Sequence, residues 1–309
     1  MAKLVNLGSL CIDYVYSVPN IARGGETVSS LGVAQFPGGK GLNQSISASL
    51  AGAQVKHYGS VGSDGKLLLN ALQEAGVDIN GVSVSNHNSG LAFIQVDSEG
   101  RNAIVIEGGS NRHITKQLIE KALDDLDEGD WLLLQNEIND LESIIYEGAR
   151  RGVRMALNLA PVDSRVESYP LDELTLLIVN RVEGQSVAGC EQIGTALAKS
   201  ISAVLPETIV LLTEGKEGSV LIDPVKHLST KTGSFEVDVV DETAAGDAFV
   251  GFFMAGLVEN KDFTTSLIEA SAAGALAVSF HGAATSIPDR SSVEELVLNQ
   301  IISQENLVL

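Results

Sequence analysis

Apolar positions along the chain gather into short runs, and most of the stretches between them carry a helical period. Leu4–Leu7 is the first run and ends in Gly8-Ser9. Val55–Val61, Trp131–Gln135, Arg154–Leu157, Leu174–Val179 and Thr208–Thr213 follow as strand-length segments. Gly41–Gly52 places Ile46, Leu50 and small alanines on one face and predicts a helix. Asp64–Gly76 predicts another, with Asp64 as its N-cap and Gly76 as its stop. Near-continuous apolar strands spaced by helices predict a parallel sheet covered on both faces, hence an α/β fold.

Two segments depart from this rhythm. Leu91–Val96 and Asn102–Ile106 alternate around Ser98-Glu99-Gly100 and predict a hairpin. The stretch from Tyr14 to Phe36 lacks a helical period and carries β-branched and aromatic residues. Together, about 14–36 and 90–107 predict a small sheet inserted within a single domain spanning 1–309. Set over the open end of the main sheet, it would be a lid that keeps water from a reaction. Ala245–Val258 and Thr264–Phe280 are apolar on nearly all sides and predict buried helices.

Composition narrows the function. Forty Asp and Glu stand against 20 Lys and Arg, with no basic stripe to offset them, which disfavours a nucleic-acid partner. The same acidity means that any anionic substrate must be held by local donors. The longest apolar runs, such as Ile209–Thr213, fall far short of a membrane span. Only Cys11 and Cys190 are present, which argues against a disulfide framework. The start Met1-Ala2-Lys3-Leu4-Val5 shows no charged-then-apolar signal region, so a cytoplasmic location is expected. The five histidines lack metal-ligand spacing.

Two motifs carry candidate chemistry. In Pro37-Gly38-Gly39-Lys40-Gly41-Leu42-Asn43-Gln44 the glycines allow backbone N–H groups close to a ligand, Lys40 adds a cation and Asn43 an amide. A plain glycine-rich turn before a helix fits the same residues. Lys40 is followed by Gly rather than Ser or Thr, so this is not a Walker A loop, nor is it the Rossmann fingerprint. In Asp241-Glu242-Thr243-Ala244-Ala245-Gly246-Asp247-Ala248-Phe249, residues 245–247 fall in the first turn of the apolar helix. Free N–H groups there would bind developing negative charge, and Asp247 could serve as a base toward a hydroxyl. An acidic residue that merely favours the helix dipole is the simpler alternative.

Taken together and in this order, the motifs resemble those of the ribokinase family of carbohydrate kinases, the PfkB family, and the likeness runs through nearly the whole chain. Gly38-Gly39-Lys40-Gly41-x-Asn43-Gln44 resembles its first signature and Asp241-x-Thr243-Ala244-Ala245-Gly246-Asp247-Ala248-Phe249 its second. Asn180-Arg181-Val182-Glu183 resembles its N-x-x-E motif, Thr213-Glu214-Gly215-Lys216-Glu217-Gly218 its nucleotide loop, and Gly282–Pro288 its closing segment. The resemblance implies a ribokinase-like three-layer α/β/α sandwich with a small β-sheet lid. It implies ATP-dependent phosphorylation of the hydroxymethyl group of a small sugar, or of a nucleoside or fructose-type substrate on the same scaffold. A silent metabolite-binding protein would be expected to have lost Gly246 or Asp247, and both are present.

Residue by residue, the resemblance implies that Asp247 is the base and that Ala245, Gly246 and Asp247 form an anion hole. Asp13, Gly39, Lys40, Asn43 and Glu137 would line the sugar site. Asn180, Thr213, Gly215, Lys216, Gly218 and Ser271 would border the nucleotide. Glu183 would organise Mg²⁺ through water, in line with the preference of that ion for phosphates and water over carboxylate cages. Asp241, Thr243, Ala277, Phe280, Gly282 and Ser286 would hold K⁺, and two copies of the chain would pair through the lid. Glu183 as a solvated carboxylate and Lys216-Glu217 as an exposed turn are the alternatives for those positions. Cys11 stands where the family usually has Asn, which implies a weaker grip on ribose.

Overall fold

The computed structural model describes residues 2–307, with side chains as far as residue 300. Met1 and residues 308–309, the ends of the expected single domain, lie outside the described residues. The chain opens with strands β1 (Leu4–Leu7), β2 (Cys11–Ser17) and β3 (Gly32–Gly38), then helix α1 (Lys40–Leu50). Next come β4 (Val55–Val61), α2 (Lys66–Glu74), β5 (Asp78–Val84), β6 (Gly90–Val96) and β7 (Asn102–Glu107). The middle runs α3 (Lys116–Asp124), β8 (Trp131–Gln135), α4 (Leu141–Arg150), β9 (Arg154–Asn158), β10 (Leu176–Asn180), α5 (Arg181–Ala188) and α6 (Gly194–Val204). The chain closes with β11 (Ile209–Thr213), β12 (Ser219–Asp223), β13 (Leu228–Thr232), α7 (Ala245–Val258), α8 (Phe263–Ala277) and α9 (Arg290–Leu307).

Nine strands form the main sheet in the order β13-β12-β11-β10-β9-β8-β1-β4-β5. Seven of them, from β11 to β5, pair in parallel, whereas β12 and β13 turn back antiparallel at one edge. The fully parallel sheet expected from the apolar runs is therefore corrected to a mixed one. The β11–β12 connection is only a few residues long and can join antiparallel strands alone. Within each strand the period of two sends neighbours to opposite cores. Leu4 and Leu133 meet α1, α7 and α8 in one core, while Val5, Leu132 and Leu134 meet α3, α4 and α6 in the other. That is a three-layer α/β/α sandwich.

A second sheet, in the order β3-β2-β6-β7, stands apart from the first. Its β6–β7 hairpin matches the alternation of the sequence. Its other pair reaches further than residues 14–36, because Cys11 is still paired with Gly38 at the edge of the glycine motif. Asp64 does not cap α2. The helix starts after Gly65, and Asp64 instead accepts bonds from Ser89 N (3.0 Å) and Ser89 Oγ (2.7 Å) at the base of β6.

Helix α7 is apolar all round because it is enclosed, nearly every residue from Asp247 to Val258 being buried. It lies unusually close to α1. A Cβ on Gly251 would sit 2.3 Å from Ser47 Cβ and Oγ, and Ser47 Oγ donates to Ala248 O at 2.8 Å. This approach brings the two sequence motifs, one at the start of each helix, to the same place.

Candidate active site

Gly8 and Gly41 interlock at the C-terminal end of β1, the usual ligand edge of a parallel sheet. A Cβ on Gly41 would lie 2.3 Å from Ser9 N, and one on Gly8 would lie 2.3 Å from Gln135 Oε1. With no side chains in the way, Gly41 N donates to Ser9 Oγ (3.1 Å) and Leu42 N to Ser9 O (2.9 Å). Ser9 Oγ then donates to Glu137 Oε2, and Lys40 N donates to the same oxygen at 3.0 Å. Glu137, two residues beyond β8, is fixed by one oxygen, and its Oε1 has no protein partner among the described residues. The first glycine of the motif faces Asp13 instead: a Cβ on Gly38 would lie 2.1 Å from Asp13 Oδ2. Gly39, at φ +93°, makes the left-handed turn into α1.

Asp247 is 7% exposed, and both its oxygens are held by neighbouring residues of α1. Asn43 Nδ2 donates to Oδ2 at 3.0 Å, and Gln44 Nε2 to Oδ1 at 2.9 Å. Around it, Gly246 and Asp247 N–H lie in the first turn of α7, where a helix has no internal acceptors. Neither has another protein acceptor among the described residues. Nothing would meet a Cβ on Gly246 within 4 Å, so the helix start is open to a ligand.

Electrostatics tie these groups together. Burial raises the Asp13 carboxyl to about 7, and the charges of Glu137 and Asp247 add to the effect. Burial works against the Lys40 ammonium, yet Asp247, Glu137 and Glu183 together hold its pKa above the ordinary lysine value. No ion pair within 4 Å ties Lys40 to a carboxylate among the described residues, so the cation stands between three acidic groups without being committed to any.

Beside the helix start lies a cavity of about 1080 Å³ lined by Thr213, Gly215, Lys216, Gly218 and Ser271, expected to border a nucleotide, and by Ala245 and Gly246, expected in the anion hole. Gly218 also has a packing duty, since a Cβ there would lie 1.9 Å from Thr232 O. Lys216 is exposed. Asn180 does not line the cavity but is registered against Thr213 across β10 and β11. It caps α5 reciprocally with Glu183: Asn180 N and Nδ2 donate to the two Glu183 oxygens, both at 2.8 Å, and Glu183 N donates back to Asn180 Oδ1. Burial raises the Glu183 carboxyl, opposed by those bonds and by Lys40.

The residues expected around K⁺ are brought together in part. Thr243 N and Oγ1 donate to Asp241 Oδ1 at 2.9 and 2.6 Å, and Gly282 N donates to Oδ2 at 3.1 Å. Burial raises the Asp241 carboxyl, but these bonds and the nearby His281 leave it below its ordinary value. Ala277 and Phe280 are bonded to each other (Phe280 N to Ala277 O, 3.4 Å), and Ser286 is turned toward Ala283 O.

Several site residues were given no role by the sequence reading. Asn6, Ser9, Gln135 and Asn158 are polar, buried and placed in or just after strands whose other buried positions are apolar. That interruption is a signal the chain does carry. Cys11 is on the same face of β2 as Asp13, and Asn111 Nδ2 donates to its thiol at 3.4 Å. Burial, with Glu137 and Asp13, raises the Cys11 pKa and keeps the thiol neutral.

With the geometry in view, comparison with known proteins is direct. The profile of the pfkB family carbohydrate kinases matches residues 1–290. The chain is 32% identical over 302 residues to the ribokinase of Haemophilus influenzae, covering 95% of this chain and 98% of the relative. Ribokinase from Thermotoga maritima superposes with a TM-score of 0.86 at 30% identity, covering 96% of this chain and 99% of that one. Arabidopsis thaliana ribokinase complexed with ribose and ATP superposes with a TM-score of 0.85 at 29% identity, with the same coverage.

The raised Asp13 pKa has a consequence for stability. An unfolded Asp titrates near 3.9, so between about pH 4 and pH 7 the folded chain binds more protons than the unfolded one. Stability therefore falls as pH rises through that window and stays lowered above it. Asp13→Asn is expected to raise the melting temperature at pH 8, by the equivalent of up to about 4 kcal/mol, and to change it little at pH 4. Thermal unfolding of both proteins at the two pH values is the check; equal shifts at both would show that Asp13 is not held protonated.

Proposed function

The chain belongs to the pfkB family of carbohydrate kinases, and on that footing we propose that it transfers the γ-phosphoryl group of ATP to the hydroxymethyl group of a small sugar. The observation that carries the reading is the position of Asp247, an ionisable carboxylate beside open N–H groups, between a nucleotide-sized cavity and the Asp13–Glu137 cluster. Asp13 and Glu137 would accept hydroxyl protons of the sugar, and Asn43 would help to orient it. Asp247 takes the proton of the attacking hydroxyl as the oxygen bonds to the γ-phosphorus and the bond to ADP breaks. Gly246 and Asp247 N–H, with Lys40, meet the charge on the phosphoryl oxygens. This local positive potential answers the acidic surface. Asp247→Asn should lower kcat by about 10²–10⁴ while ATP still binds, because the helix-end donors remain. Turnover comparable to wild type, measured by ADP release on ribose, 2-deoxyribose, fructose and nucleosides, would refute the assignment. Ribose is the substrate bound in the Arabidopsis relative; here the neutral thiol of Cys11 offers its hydroxyls little, so ribose should not be the best of that set.

Two ions fit the residues present. Each Glu183 oxygen accepts one bond in the cap and keeps a lone pair, and among the described residues no three His, Cys, Asp or Glu side chains are placed to hold a metal ion together. Mg²⁺ would therefore be held mostly by phosphates and water, reaching Glu183 through a water, and would neutralise phosphate charge. K⁺ would be held by Asp241 with oxygens of Thr243, Ala277, Phe280, Gly282 and Ser286; no Lys or Arg pairs with Asp241 among the described residues. The ion would add positive potential beside the first turn of α7. Replacing K⁺ by tetramethylammonium at constant ionic strength should lower the rate, and an unchanged rate sinks the proposal.

The small sheet would act as the lid and as a dimer surface. Val15, Ile94 and Ile104 form a row across it on the face that carries Asp13, and Ile104 and Ile106 are 51% and 55% exposed. A second copy covering this row would bury it. Sedimentation should give a dimer for the wild type and a monomer for Ile104→Glu; a monomeric wild type overturns this. Two free cysteines and the lack of any helix long and apolar enough to cross a membrane, among the described residues, support action in the cytoplasm.

A further inference from the structure

Beneath Asp247 runs a column of buried side-chain amides. Gln44, fully buried, uses Nε2 twice, toward Asp247 Oδ1 and Asn158 Oδ1, both at 2.9 Å. Its Oε1 accepts from Gln135 Nε2 at 2.8 Å, and the same Gln135 nitrogen donates to Asn6 Oδ1 at 3.0 Å. Asn6 Nδ2 is in turn spent on Gly41 O (2.9 Å) and Ser45 Oγ (2.8 Å), and Ser45 Oγ contacts His57 Nδ1 at 2.8 Å. An amide can present either its oxygen or its nitrogen to a neighbour, and the two ends are opposite in chemistry. Here Gly41 O, a backbone acceptor that cannot reverse, sets Asn6; Asn6 sets Gln135, and Gln135 sets Gln44 nitrogen-first toward the base. The column crosses from β1 through β8 to α1, so its direction is fixed by the main sheet rather than by any ligand.

We propose that Gln44, oriented through Gln135 and Asn6, is the positioning residue of the base: it holds the Asp247 carboxylate in one rotamer, with a hydrogen-bond donor against Oδ1, before substrate arrives. Gln44 contacts neither sugar nor phosphate. It acts through Asp247, and the inference rests on the base assignment above. The charged groups that face Asp247 are Asp13 from β2 and Lys40 from α1, with Glu137 beyond them. On the Gln44 side its partners among the described residues, apart from Asp247 itself, are the uncharged amides of Gln135 and Asn158.

The test is the pH dependence of kcat at saturating sugar and ATP, which reports groups in the ternary complex rather than the free-enzyme titration of Asp13. Gln44→Glu keeps the shape but sets an acceptor against Asp247. Its kcat near pH 7 should fall about tenfold or more, and the acid limb should move up by about one pH unit or more. Gln135→Met carries no charge and touches no reacting group. It removes the donor to Gln44 Oε1 and leaves Asn158 to orient the Gln44 amide, so it should move the limb in the same direction by a smaller amount. ATP affinity, by calorimetry, should stay within about twofold for both, since the helix-end donors are untouched. Acid limbs at the wild-type position in the folded variants, whatever their melting temperatures, would reduce the column to a structural role and overturn the inference. If Gln44→Glu does not fold, Gln135→Met decides alone. Asp247→Asn separates the two levels: if it is active, the base assignment fails, and if it is inactive while the limbs stay put, only the positioning role fails.

Discussion

Everything at this site depends on how closely α1 and α7 approach. Gly251 removes the one Cβ that would hold the helices apart, and Ser47 takes the vacant space and bonds to Ala248 O. Only at that separation do Asn43 and Gln44, consecutive on one helix, reach both oxygens of a carboxylate at the start of the other. Consecutive helical positions point about 100° apart, so such a grip requires the partner carboxylate to enter between them. The first turn of α7 is thereby held beside the cavity that Ala245, Gly246 and Ser271 line.

The electrostatic design is uneven by necessity. Asp13, Glu137 and Asp247 crowd one corner, and the Asp13 pKa is raised first by its burial and then by the charges of the other two. A sugar whose hydroxyls donate to these carboxylates relieves the strain, because donors favour the ionised form. On the other side, an acidic protein must receive a polyanion. Backbone N–H groups at a helix start supply positive potential without adding a side-chain charge that the carboxylates would quench. Lys40 lies among Asp247, Glu137 and Glu183, and among the described residues it makes no close ion pair that would commit it to one of them.

Glycine does more than form a flexible loop here. Gly8 and Gly41 are needed because two backbones touch, and Gly38 because Asp13 fills the space of its side chain. The first motif is thus a packing surface as well as the turn into α1.

What the sequence determined was whatever depends on local periodicity and on chemistry carried within a motif. The buried strands, the β6–β7 hairpin and the enclosed helix α7 follow from apolar spacing; Asp247, Gly246 and Asn43 became candidates through their motifs, and Glu137 through the resemblance and its place just after a buried strand. Resemblance supplied the pairing of distant motifs, which no local pattern contains. The antiparallel edge was missed because β12 and β13 were not read as strands; β13 is polar after Leu228 and carries no apolar run. Asp64 looked like a cap because the right residue type preceded a helix, yet its carboxylate is spent on Ser89, a partner 25 residues away. The same holds for the amide column: Asn6, Gln44, Gln135 and Asn158 lie on four separate elements, and only the stacking of β1, β8, β9 and α1 brings them to hydrogen-bonding distance. A hydrogen bond specifies distance and direction in space, and a sequence read alone contains neither for residues far apart in the chain.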